Sequence, residues 1–241
     1  MAQHKILAAY ALIVSAILAI VLLIGASKSL GLSDEISVRR INILEPDGTI
    51  RMVLSGASDA PGLYYHNDHH PHPSGQRPAG LYFMNDEGTE VGGLIFAGNK
   101  REDGRPFSMV HFSMDNYDQD QALVLRHIQD QGIETALMVN DVPLVSKDPA
   151  RLAPLGSLEG EARDKLLREL RATGMFDSKM RMFAGRTRSG DSMISLHDAD
   201  GRPRLYLSVS ETGVVSFKIL DEEGAVVRDL AESTDDDALI P

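Results

Sequence analysis

HDADGRPRLYLSVSETGVVSFKILDEEGAVVRDL, residues 197–230, decides the fold. Its turns DADG, SETG and DEEG each end in a glycine (Gly201, Gly213, Gly224) and separate the runs LYLSV, VVSFKIL and AVV. Such runs, broken by glycine-closed polar turns, ask for antiparallel hairpins. Glycine reaches the positive φ of a tight reversal, and the acidic or hydroxyl residue ahead of it bonds the turn's own amides. The same punctuation recurs upstream as EPDG (Gly48), NDEG (Gly88) and QDQG (Gln129 to Gly132). The expectation is an all-β chain, an antiparallel hairpin meander arranged as a sandwich, barrel or sheet stack.

Working back from residue 197, strands are expected at 192–197 and 179–184, preceded by a helix at 158–172. Ser157 would cap that helix, Leu158, Ala162, Leu166, Leu167 and Leu170 stripe one face, and Gly174 marks its end. Further strands fall at 133–139, 122–128, 107–114, 89–97, 80–85, 49–55 and 36–44, giving about twelve in all. Arg39-Arg40 breaks the alternation, which suggests a bulge, and Gly92-Gly93 implies a bulge or a close backbone approach. Residues 56–79 and 140–156 have no period and read as long loops. The organisation expected is an anchor (1–26), a stalk (27–35), a first β lobe (36–139), a linker with the helix (140–174), a second β lobe (175–231) and an acidic tail (232–241).

The composition is that of a folded protein, with 43% hydrophobic and 24% charged residues in 241. A net charge of −11 disfavours nucleic acid as a partner. The absence of cysteine excludes disulfides, thiolate metal sites, a cysteine nucleophile and a lipidated cysteine. Residues 6–24, ILAAYALIVSAILAIVLLI, carry no charge. At about 1.5 Å per residue such a helix matches a hydrocarbon core of about 30 Å. The run is longer than a signal-peptide core, so a retained single-pass anchor in the cell membrane is expected over cleavage after Gly25-Ala26-Ser27. The short leading tail fits a cytoplasmic N-terminus and an extracytoplasmic β domain. Lys28, Arg39 and Arg40 on the far flank pull the other way.

The segments ISVRRINILEPDGTIRMVLS, RPAGLYFMNDEGTEVGGLIFAG and SMDNYDQDQALVL, in that order, resemble an uncharacterised group of bacterial membrane-anchored β-rich proteins. The closing DADGRPRLYLSVSETGVVSFKILDEEGAVV resembles a β-repeat of bacterial proteins of the same standing. The resemblance covers most of the chain beyond the anchor. It implies a bacterial β-rich domain and carries over no activity and no catalytic residue.

For chemistry, the sharpest stretch is YYHNDHHPHP, residues 64–73. His66, Asp68, His69, His70 and His72 could ligate a transition metal such as Zn²⁺, Cu²⁺ or Ni²⁺, since neutral imidazole suits those ions. Tyr64 stands where a metallo-hydrolase pattern needs another histidine, and a solvated Pro/His loop is the favoured reading of the stretch. Asp115, Asp118 and Asp120, with His111 on the preceding strand, could bind Ca²⁺ or do acid–base work. They lack the glycine and glutamate of a Ca²⁺ loop, and a polar turn accounts for them. Asp198-x-Asp200-Gly201 reads as a hairpin turn. Arg181, Arg186, Arg188, Arg202 and Arg204 could form a basic patch, and His127 and His197 read as satisfied strand-end histidines. No G-x-S-x-G, G-x-x-x-x-G-K or H-E-x-x-H is present.

These features favour a non-enzymatic scaffold or binding module at the cell surface. It is held by the bilayer through residues 6–24, and its apolar strand edges need covering, by the helix at 158–172 or by another protein or a second copy. The alternative is an anchored metal-binding protein or metal-dependent hydrolase built on the histidine loop. The spatial relation of residues 56–79 to residues 115–120 discriminates: convergence in one cleft favours a site, and opposite ends favour a bare scaffold.

Overall fold

The computed structural model describes residues 2–27, 35–72 and 75–231. The stalk from residue 28 to 34 and the acidic tail from residue 232 lie outside the described residues. Two units are distinct, residues 1–38 and residues 39–241.

In the first unit, α1 (Ala2–Ser27) is one continuous helix. Its described side chains, Leu7 and residues 9–21, are all exposed. Among the described residues no helix is long and apolar enough to cross a membrane. The expected transmembrane span is therefore present as a helix but without structural support as a span.

The second unit is a meander. Its strands are β1 (Arg40–Leu44), β2 (Ile50–Ser55), β3 (Leu63–Tyr65), β4 (Asp68–His70), β5 (Ala79–Met84), β6 (Glu90–Lys100), β7 (Pro106–Asp115), β8 (Gln121–Asp130), β9 (Gly132–Asp141), β10 (Lys179–Arg186), β11 (Ser192–His197), β12 (Pro203–Val209), β13 (Val215–Leu220) and β14 (Val226–Asp229). All but β3 and β4 form a single 12-stranded antiparallel sheet in sequence order; β3 and β4 make a separate two-stranded ribbon. Each expected strand is present in that sheet.

The turns explain the order. At Glu45, Asn85, Arg101, Thr187, Asp198, Ser210 and Asp221 the amide bonds the carbonyl four residues on, and the amide of the residue three ahead bonds back. That third residue is a glycine each time, with φ between 74° and 99°. This is a type I turn closed by a left-handed glycine, the three-residue hairpin loop that also leaves a bulge beside the turn. The turns REDG (Gly104) and TRSG (Gly190) belong to the same set. In the turn after β7 no glycine is available, and Asp118 takes the positive φ (51°) instead.

Sequence expectation and structure part company in five places, the first being the β3–β4 ribbon inside residues 56–79, where the sequence pattern predicts a long loop. No bulge forms at Arg39-Arg40; the register shifts at Ile43/Leu44, beside the turn. Ser157 does not cap the helix α3 (Gly160–Ala172): its hydroxyl bonds the Pro154 carbonyl, and Glu159 occupies the cap position without a side-chain bond. The short helix α2 (Pro149–Leu152), capped by Asp148, forms where the sequence pattern predicts loop. The sheet also runs without a break through the expected lobe boundary, because β9 and β10 pair directly from Lys179↔Asp141 to Arg186↔Thr135. The intervening helical segment is an excursion from one sheet.

Pairing register divides the sheet into two faces. On the first, one cross-strand row reads Ile41, Leu54, Leu81, Leu94, Phe112, Leu125, Leu137, Ala184, Ile194, Leu207, Phe217. The next row is equally apolar, from Ile43 and Met52 through Phe83, Met114 and Val139 to Leu205 and Ile219. The opposite face is mixed: Val53, Tyr82, Ser113, Val124, Met138, Phe183, Ser195, Tyr206, Lys218. Both core clusters lie on this mixed face, one of Ile50, Val53, Tyr82 and Met84 under Ala60, Tyr64 and Ile95, the other of Val124, Ala136, Met138 and Phe183. The apolar face has no buried side chain.

Candidate functional site

The mixed face is covered over β5–β8 by the two excursions. The first leaves β2, forms the β3–β4 ribbon and returns to β5. At the ribbon's tip His66 (φ 47°) and Asn67 (φ 64°) both adopt the left-handed region. That reversal lets the His66 amide donate to Thr89 Oγ1 (2.9 Å), the Asn67 amide donate to the Gly88 carbonyl (3.3 Å), and Asn67 Oδ1 accept from the Ile50 amide (3.1 Å). The second excursion follows β9 and is latched through the turn after β7. The Lys147 main-chain amide donates to the Asp118 carbonyl (2.8 Å), and the buried Gln119 side-chain Nε2 donates to the carbonyls of Val145 (2.6 Å) and Met175 (3.0 Å). Tyr65 joins all three segments, because its hydroxyl meets both Asp118 Oδ2 (3.1 Å) and Ser146 Oγ (3.0 Å). The loops whose relative position was decisive thus converge.

Between them is a cavity of about 240 Å³. Leu63, Tyr64, Ile95 and Leu152 supply its apolar wall; His72, Arg77, Glu90, His111, Asp115, Asp118, Asp120 and Lys147 supply its charge-bearing wall. Two cations and two carboxylates are already matched. Arg77 makes paired bonds of 2.6 Å to Glu90, with both side chains nearly buried, and lies over the Tyr82 ring at 4.1 Å. Lys147 bonds Asp120 at 2.7 Å. Asp115 and Asp118 remain. One carboxylate oxygen of each, together with His111 Nε2, is buried without a hydrogen-bond partner. Buried polar atoms in folded proteins are seldom left in that state.

Burial pushes the Asp115 carboxyl up to about 7, helped by the negative Glu90 and Asp120. The same burial holds the His72 and His111 imidazoles below their ordinary value, assisted by Arg77 and Arg126 respectively. The site therefore holds neutral imidazoles beside a carboxyl that changes charge near neutrality. Next to Asp118 in the chain, Tyr117 donates to Glu87 (2.6 Å), and that bond pushes its phenol up to about 12. Glu87 also lies 3.3 Å from His66 Nδ1.

The histidines expected as a ligand set are spread apart. His66 faces Glu87 and Asp118, Asp68 is exposed, and His69 accepts the Gly62 amide at 2.9 Å with its ring edge-on to Tyr64. His70 is partly buried in the ribbon opposite Leu63, and His72 lines the cavity. Among the described residues no group of three or more His, Asp or Glu side chains is placed to hold a metal ion. The arginines are also dispersed: Arg181 bonds Asp141, Arg186 the Ile133 carbonyl, Arg202 Asp198 and Asp200, and Arg204 the Leu220 carbonyl. Arg188 reaches Glu134 at 4.0 Å. His127 and His197 are satisfied by Thr135 and by Ser195 with the Gly201 carbonyl.

Tyr65, Arg77, Glu90, Ser113, Gln121 and Lys147 also line the cavity, and no local sequence pattern marks them. Strict alternation puts Glu90 with Gly92 and Leu94, and Gln121 with Leu123, on the apolar face. The register shifts at Phe83/Met84 and Met114/Asp115 turn both onto the other side. The signal that could have found Glu90 was its place directly after a glycine-closed turn, where such a shift belongs. No family model, curated protein or solved structure matches the chain.

Proposed function

We propose that this is a membrane-tethered, non-enzymatic binding module whose cavity takes a small alkylammonium or alkylguanidinium group. The observation that carries the reading is the pair of carboxylates, Asp115 and Asp118, left over inside the cavity after Arg77 and Lys147 are matched. A cationic head would meet them, and a short alkyl stem would lie on Leu63, Ile95 and Leu152. The volume is below the roughly 300–1,000 Å³ of ordinary ligand pockets, so the ligand is small or is the tip of a larger one. Tethering rests on the uncharged run of residues 6–24 and on the exposure of the described side chains of α1. By the same reading the β domain is extracytoplasmic and the protein is bacterial.

The test uses methylguanidinium and isothermal titration on the full chain in detergent. Binding is expected at pH 8, weakened at least tenfold at pH 5 where Asp115 is protonated, and lost in Asp115→Asn. Binding indifferent to both changes would remove the proposal.

A further inference from the structure

The apolar face of the sheet is a second feature, independent of the cavity. Both of its central rows contain only apolar residues and Gly92 from β1 to β13. Exposure there is high: Leu54 41%, Met114 51%, Leu125 52%, Ile194 42%, Leu207 43%. Phe96, Val110, Val209 and Val215 extend it on the side of a third row, where His127 and Arg186 are the first ionisable groups. In an ordinary antiparallel sheet the apolar face is the one against the core.

We infer that this face is where a second copy of the chain packs, sheet on sheet, about a two-fold axis. Area is the first argument. Twelve strands at about 4.8 Å spacing make a strip about 50 Å long, and two rows of side chains make it about 15 Å wide. The strip is then roughly 750 Å², close to the ~800 Å² each partner contributes to a standard stable interface. Charge is the second. A chain of net charge −11 repels its copy everywhere except where it presents no ionisable group, and the two central rows present none. Those rows also suit an isologous contact, in which one patch must complement itself. Two such faces stack at about 10 Å and about −30° in a sandwich. A lipid surface is the less fitting occupant: it favours a basic rim and interfacial aromatics, while this chain is acidic and has no tryptophan.

Because the chain has no cysteine, single-cysteine variants of the full-length protein test the contact directly. Leu125 (β8) and Leu137 (β9) are at the centre of the strip, nearest the two-fold axis. Under mild oxidation Leu125→Cys is expected to give at least ten times more covalent dimer than Lys218→Cys, which is on the opposite face. In parallel, Leu125→Glu/Ile194→Glu should convert a native dimer to monomer in detergent by light scattering, with unchanged circular dichroism. A monomeric native protein would overturn the inference. So would a dimer that survives the glutamates with equal cross-linking at both positions, which would place the contact in α1. A monomer that sediments with zwitterionic vesicles, and loses that on glutamate substitution, would assign the face to lipid. Should the double variant misfold, the cross-linking ratio alone decides. Methylguanidinium binding reports on the other face and does not depend on this outcome.

Discussion

The two faces of the sheet obey opposite rules. The mixed face carries serines, a lysine and glycines, yet it holds both buried clusters, and two excursions lie across its β5–β8 part. The apolar face carries almost nothing but Leu, Ile, Met, Val and Phe, and among the described residues none of its large side chains is buried. Hydrophobicity by itself did not select the inside here. The long connections did, by returning over the face that offers them hydrogen-bond partners at Thr89, Ile50, Asp118 and Gln119. The lesson is that a strand's apolar side identifies a face that must be covered, while the loops show which face the chain covers by itself.

The largest effect that would break this contrast is expected at Tyr82, which is fully buried with its hydroxyl on the Pro78 carbonyl. Tyr82→Ala should lower unfolding stability by about 3–5 kcal/mol in urea denaturation. A similar loss from Leu207→Ala, in a chain kept monomeric by Leu125→Glu/Ile194→Glu, would erase the distinction between the faces.

Next in size is the charge buried in the cavity. Asp115 has a folded pKa raised to about 7, so the stability conferred by its protonated form is complete below the ordinary carboxylate value and is lost as pH rises through 7. Asp115→Asn should therefore match the native protein at pH 4 and exceed it at pH 8, by up to about 4 kcal/mol. His72 and His111 act in the opposite sense, since their lowered values cost stability as pH falls below 6.5. Both remain in the variant, so the native-minus-variant difference isolates Asp115. A difference independent of pH would show that the carboxyl is not held in the cavity.

Smaller again is the turn chemistry. Gly213 has φ 86° with open space around it, so Gly213→Ala meets only backbone strain and should cost about 1 kcal/mol. Gly92 has φ 136° and is packed against the Ser113 backbone, so Gly92→Ala should cost more than Gly213→Ala. The smallest effect, under about 0.5 kcal/mol, belongs to Leu207→Ser in the monomeric background. Equal costs at Gly213 and Leu207 would mean that the turns do not hold the meander.

How far the sequence carried follows from the same turns. Each glycine-closed tetrapeptide reports a reversal locally, so the strands and their order were legible from residues such as Gly88, Gly201 and Gly224. The continuity of the sheet across β9 and β10 was hidden, because proline and helix signals between residues 140 and 174 look alike whether they separate domains or leave and rejoin one sheet. The site was half visible. Asp115, Asp118, His111 and His72 stood out by type, but Arg77, Glu90 and Lys147 reach it through register shifts and a distant excursion that no local pattern encodes. The outward aspect of the apolar face was not legible at all. Alternation marks two sides and is silent on which one the loops will cross.

The measurement that bears most directly on the central contrast is thiol labelling with a charged maleimide, comparing Leu207→Cys with Ser195→Cys in the full chain across a dilution series. Ser195 is 2% exposed on the mixed face, whereas Leu207 is on the apolar one. Labelling of Leu207→Cys should be slow when concentrated and at least tenfold faster when dilute, while Ser195→Cys stays slow throughout. Fast labelling of Ser195→Cys at high dilution, or a Leu207→Cys rate that ignores concentration, would contradict the account.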